Sequence, residues 1–286
     1  MIKHNLSSGN GHGIAAAKAT SIAFRTPAES GYADVNGLKL YYEVYGAGRP
    51  LVLLHGGFAV ISMFGPLLPA LAETRQVIAV EMQAHGHTAD IDRPLTFEQM
   101  ADDTAALITH LGLKTADVLG YSLGGGVALQ TAIRHPDIVR KLVVVSAPYK
   151  RDGWYPEVLI GMEALNAEMM TGTVLYQAYT SVAPHPKDWS KLTDKTRQLL
   201  GQAYNWAQDV AAIKAPTLIV VGDADSVSPA HAVEMFGLLG GGQADGTIRE
   251  APPVHLAVLP GTTHYTILNR LDLLLPIMRT FLDPSE

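Results

Sequence analysis

The stretch Leu119-Gly120-Tyr121-Ser122-Leu123-Gly124-Gly125 decides the reading of this chain, because it sets a Gly-x-Ser-x-Gly turn between two apolar runs of different period. Upstream, Ala116 to Leu119 reads as a buried strand; downstream, Val127, Ala128, Ala132 and Ile133 share one face of a helix. A strand must therefore reverse into a helix within about one residue. Such a turn pushes its apex side chain outward in a strained conformation, and bulk two positions to either side would collide across the bend. Gly120 and Gly124 meet that need, and Leu123 opens the helix with a free backbone N–H. Serine is also a favoured helix cap, so the turn alone does not separate a nucleophile from a cap. Two glycine-rich rivals fail: a phosphate loop needs Gly-Lys-Ser/Thr where this chain has Gly126-Val127, and the glycines lack the G-x-G-x-x-G spacing of a dinucleotide site.

Outward from this turn, short apolar runs at Leu51–Leu54, Val77–Val80, Leu142–Val145, Leu218–Val221 and Leu256–Leu259 alternate with helical stretches. That alternation predicts an α/β fold with a doubly wound, mostly parallel sheet. Tyr32–Val35 and Leu38–Tyr45 flank Asn36-Gly37, which predicts an antiparallel hairpin at the start. A helix is expected from Thr96, with Thr96 and Gln99 as a capping box and Met100, Thr104, Leu107, Ile108 and Leu111 on one face. Pro276 predicts a last helix that begins near that point or is kinked there.

With 286 residues, 48% hydrophobic and 17% charged, the chain is long enough for one such domain with an insertion. The organisation read from the sequence is a flexible arm over 1–30, a core formed by 31–148 and 213–286, and an inserted helical lid over 149–212. That insertion holds Trp154, Trp189 and Trp206, all three tryptophans of the chain. Most of its aromatics are expected to form its own core, while Trp154, Met169 and Met170 are candidates to roof an apolar pocket. A net charge of −6 and a pI near 6.0 offer no broad basic surface for nucleic acid. Without cysteine there are no disulfides, thiolate nucleophiles or cysteine metal sites. The apolar stretch Ile14–Ala17 is too short for a signal peptide, so a cytoplasmic location is expected, and no run of about 18 apolar residues predicts a membrane span.

A nucleophilic serine needs a base, a carboxylate to orient that base, and donors for the oxyanion. His264 follows the last apolar strand in Pro260-Gly261-Thr262-Thr263-His264, and Gly222-Asp223-Ala224-Asp225 offers two carboxylates after the strand before it. His85-Gly86-His87 with Asp90 and Asp92 is not expected to form a metal site, because its spacing departs from His-x-His-x-Asp-His; these histidines are expected in a polar loop.

From Tyr32 to Leu282 the chain resembles the α/β-hydrolase fold family. The resemblance rests on His55-Gly56-Gly57-Phe58, Gly120-Tyr121-Ser122-Leu123-Gly124, Gly222-Asp223-Ala224-Asp225 with Pro229, and the His264 turn. It implies Ser122 as nucleophile, His264 as base and Asp225 as the acid, with an oxyanion hole from the N–H of Leu123 and that of Gly57 or Phe58. It further implies a cofactor-free serine hydrolase acting on small-to-medium carboxylic esters. A lactonase, a carbon–carbon bond hydrolase and a non-catalytic ligand-binding relative are the alternatives. Glu81-Met82-Gln83-Ala84-His85-Gly86-His87 departs from the Asp-x-Arg-Gly-His-Gly segment of many members.

Overall fold

The computed structural model describes residues 26–244 and 253–283. It contains an eight-stranded sheet in the order β1-β2-β4-β3-β5-β6-β7-β8. The strands are β1 (Glu29–Val35), β2 (Leu38–Tyr45), β3 (Arg49–Leu54), β4 (Arg75–Glu81), β5 (Ala116–Tyr121), β6 (Val139–Val145), β7 (Thr217–Ala224) and β8 (Val254–Thr263). β2 pairs antiparallel with both β1 and β4, and every later pairing is parallel. The hairpin forms where expected. Val35 faces Leu38, and both turn residues take positive φ, 48° at Asn36 and 79° at Gly37, the geometry that asparagine and glycine tolerate best. Of the arm expected over 1–30, residues 1–25 lie outside the described residues, and β1 has already begun at Glu29.

The uninterrupted apolar runs follow from burial on both faces. Val52 and Leu54 of β3 enter one core with Ile78, Val80, Leu142 and Val144, whereas Leu51 and Leu53 enter a second core with Val77, Ala79, Val143 and Val145. Helices Phe97–His110 and Leu123–Arg134 cover the first face, and Leu67–Leu71 and Leu271–Leu282 the second. In the helix Phe97–His110, Thr96 Oγ1 accepts the Gln99 N–H at 3.0 Å, but Gln99 Oε1 has no partner, so only half of the expected capping box is made. The last helix does not begin at Pro276. It runs through it, because Leu274, Met278, Phe281 and Leu282 on both sides of the proline are buried against the sheet, and that packing outweighs one missing backbone bond.

The segment linking β6 to β7 carries five α-helices, Pro156–Ala164, Ala167–Met170, Val174–Val182, Trp189–Gly201 and Ala207–Ala211. Its tryptophans are buried and tie it to the core. The Trp189 ring lies 5.8 Å from Phe58 and 5.3 Å from Tyr179, and Trp206 lies 5.1 Å from Phe97. Lys195 Nζ adds a polar latch, donating to Asp90 Oδ2 at 2.6 Å and to the Ile91 and Arg93 carbonyls. The parallel strands thus bring the residues that follow β3, β5, β6, β7 and β8 to one carboxyl edge, beneath this insertion, which is where sheets of this type build their sites.

Candidate active site

Ser122 stands between β5 and the helix Leu123–Arg134 with φ 55° and ψ −121°, a left-handed-side conformation that L residues rarely adopt. The glycines around it are required by close approach. A Cβ at Gly120 would lie 2.0 Å from the Gly124 carbonyl oxygen, and one at Gly124 would lie 2.2 Å from the Leu54 carbonyl oxygen. The first contact is the collision across the bend expected from the sequence; the second comes from β3, a neighbour that local reading does not show. Ser122 makes no side-chain cap bond. Its Oγ lies instead 3.0 Å from His264 Nε2.

His264 follows β8, and its Nδ1 lies 2.8 Å from Asp225 Oδ1. Ser122, His264 and Asp225 are therefore joined in one chain of hydrogen bonds, although they are far apart in sequence. Asp225 is buried, which pushes its carboxyl up, but the hydrogen bond and charge of His264, with donors from Ser146 and Gly222, outweigh burial and hold it below the usual carboxylate range. Asp223 points elsewhere. Its carboxylate accepts the backbone N–H groups of Gly261 at 2.9 Å and Thr262 at 3.0 Å, which depress its pKa. A bulge between Gly222 and Ala224 in the β7–β8 ladder separates the two aspartates.

The loop after β3 lies against this turn. The Ala59 N–H donates to the Gly56 carbonyl at 3.2 Å, His55 Nδ1 meets the same oxygen at 2.7 Å, and Phe58 sits at φ 64°. A Cβ on Gly57 would be 3.6 Å from the Leu123 side chain, so the backbone of Gly57 and Phe58 borders the start of the helix beside Ser122. His55 is held neutral: burial pushes its pKa down to about 3, and its Nε2 accepts the Met82 N–H at 3.2 Å.

A cavity of about 650 Å³ opens between Ser122, His264 and the insertion. Trp154 and Met170 line it, together with Val158, Met162, Leu165 and Leu175. Met169 does not line it. In the short helix Ala167–Met170 neighbouring side chains point about 100° apart, so Met170 faces inward and Met169 is 63% exposed. Among the described residues no Lys, Arg, Asp or Glu lines the cavity.

Three contacts were not read from the sequence. Tyr121 Oη donates to the His264 carbonyl at 2.7 Å, the Trp154 ring meets the His264 ring at 5.5 Å, and Ser146 Oγ donates to Asp225 Oδ2 at 2.5 Å. His85 and His87 have separate partners. Both lie in the loop after β4; His85 is fully buried there beside His55, with its Nδ1 2.9 Å from the Gln83 carbonyl, while His87 meets Glu81 and stacks on Tyr41. Among the described residues no group of three or more His, Cys, Asp or Glu side chains is placed to hold a metal. Likewise, no helix there is long and apolar enough to cross a membrane.

Residues 49–188 match the family model for the α/β-hydrolase fold. RutD of Azorhizobium caulinodans, by name a carbamate hydrolase, is 25% identical over 239 residues, 77% of this chain and 88% of that protein. A pimeloyl-[acyl-carrier protein] methyl ester esterase of Neisseria meningitidis serogroup B is 33% identical over 211 residues, 64% of this chain and 77% of that one. Two further curated relatives are spanned over only 40% and 41% of their own length. The solved enol-lactonase of Burkholderia xenovorans LB400 superimposes with a TM-score of 0.68 at 22% identity, covering 88% of this chain and 99% of that one, a likeness of fold. The chain belongs to the α/β-hydrolase fold family.

Proposed function

We propose that the protein is a serine hydrolase that cleaves small-to-medium carboxylic esters through an acyl-enzyme on Ser122. The observation that carries this reading is the unbroken Ser122–His264–Asp225 relay at 3.0 Å and 2.8 Å, with Ser122 and His264 lining the cavity. Ser122 Oγ attacks the ester carbonyl carbon while His264 Nε2 takes its proton. The carbonyl oxygen becomes an oxyanion facing the N–H of Leu123 and one from Gly57 or Phe58, each donor contributing about 3 kcal/mol to the transition state. As the intermediate collapses, His264 returns the proton to the leaving alkoxide and the alcohol departs. Water then attacks the acyl-enzyme by the same steps, releasing the acid and restoring Ser122. Asp225 holds the imidazole in the tautomer with its proton on Nδ1 and stabilises the imidazolium that forms.

The segment 149–212 serves as the lid in this reading, its apolar side chains shaping the acyl pocket. A wall without formal charge favours uncharged acyl groups, because a buried carboxylate with no partner loses its hydration uncompensated. The relative named for methyl ester hydrolysis is consistent with ester chemistry. A panel of neutral esters, carboxylate-bearing esters, lactones and ring-cleavage dienones tests it. Neutral esters are expected to give the highest kcat/KM; turnover confined to lactones or dienones would replace the ester reading with one of the alternatives.

A further inference from the structure

We propose that Ser146 is a positioning residue for this reaction, holding the Asp225 carboxylate in register with Ser122. The inference rests on the serine-hydrolase reading. Ser146 follows β6 and is 1% exposed, with φ 52°. Glycine takes that conformation at little cost and serine does not, so the side chain must contribute something that its absence would not. What it contributes is a hydroxyl proton for Asp225 Oδ2 at 2.5 Å.

Among the described residues Asp225 is met by four hydrogen bonds, and their origins differ. Gly222 N at 3.1 Å lies in β7, the strand that leads to Asp225, and Val227 N at 3.2 Å in the loop just after it, so both bonds stay within the acid's own strand and loop and tie the carboxylate to neither β5 nor β6. His264 is the group to be positioned. Among the described residues, Ser146 alone, His264 apart, reaches the carboxylate from another strand. The end of β6 is itself fixed on both sides, since the Ser122 N–H donates to the Val145 carbonyl at 2.9 Å and the Ser146 N–H to the Val220 carbonyl at 2.8 Å. One strand end thus connects the backbone of the nucleophile, the strand leading to the acid and the acid's carboxylate. By its bond to Oδ2, Ser146 leaves Oδ1 directed at His264 Nδ1.

Ser146→Ala and Ser146→Gly separate the hydroxyl from the backbone. Both lose the donor, but glycine also relieves the left-handed strain, so its melting temperature is expected at or above that of the alanine variant. For a hydrogen bond to a charged group we expect kcat to fall about ten- to a hundredfold in both, with KM nearly unchanged, and a parallel slowing of fluorophosphonate labelling of Ser122. Labelled wild type together with wild-type kcat in both variants overturns this inference alone. A slow alanine and a fast glycine variant also overturn it, because the backbone shape would then suffice. If the wild-type protein takes no probe at Ser122, the serine-hydrolase reading fails and this inference falls with it.

Discussion

Asp223 and Asp225 are two residues apart, yet one braces the turn that carries His264 and the other meets the His264 imidazole itself. Asp225→Asn is expected to favour the wrong imidazole tautomer and lower kcat by up to about ten-thousandfold in a folded protein. Asp223→Asn keeps one acceptor for the Gly261 and Thr262 N–H groups, so kcat should stay within about tenfold of wild type while the melting temperature drops. Steady-state kinetics on variants shown to be folded decide this, and the reverse order of rates would move the acid to Asp223. At this scale the Ser122 turn, the His264 turn and the placing of Asp225 rather than Asp223 beside His264 were legible because each sits in a local pattern of glycines or follows an apolar strand. Ser146 and Tyr121 were not. Their contacts with Asp225 and His264 come from which strand ends meet in space, and a serine after Val145 has no local signal to distinguish it from any other.

The strands were legible because each is a short apolar run buried on both faces, and the hairpin because Asn36-Gly37 has few other uses. The β7 bulge and the helix through Pro276 were not, since pairing register and packing against the sheet override local preference there. Within the insertion, aromatic content marked the segment but not the inward face of each helix. Met170 and Met169 provide the test. Met170→Ala enlarges the acyl pocket and should shift relative kcat/KM toward bulkier esters by several-fold, whereas Met169→Ala, at an exposed position, should leave both rates and stability unchanged to within about 0.5 kcal/mol. A chain-length series of esters reads this out; equal profiles for the two variants would make the insertion structural only.

Stability of the whole molecule should depend on pH through histidines buried in neutral form. Burial is the leading cause that lowers His55 to about 3 and His85 and His231 to about 4. Because the unfolded chain binds protons at these sites from about pH 6.5 downward while the folded one does not, stability is full above that value and lost as pH falls, by up to about 1.4 kcal/mol per pH unit for each histidine. His87, raised chiefly by its bond to Glu81, acts in the opposite sense but is partly exposed and counts for less. The melting temperature is therefore expected to drop by at least about 5 °C between about pH 7 and about pH 5, and a flat or rising curve would show that the buried histidines are not held neutral. The chemistry itself is settled most directly by treating the intact protein with a fluorophosphonate and mapping the adduct by peptide mass spectrometry. One adduct on Ser122, absent from Ser122→Ala along with at least about a thousandfold of ester turnover, is the expected result; an unlabelled Ser122, or a Ser122→Ala variant that still turns over esters at the wild-type rate, would contradict it.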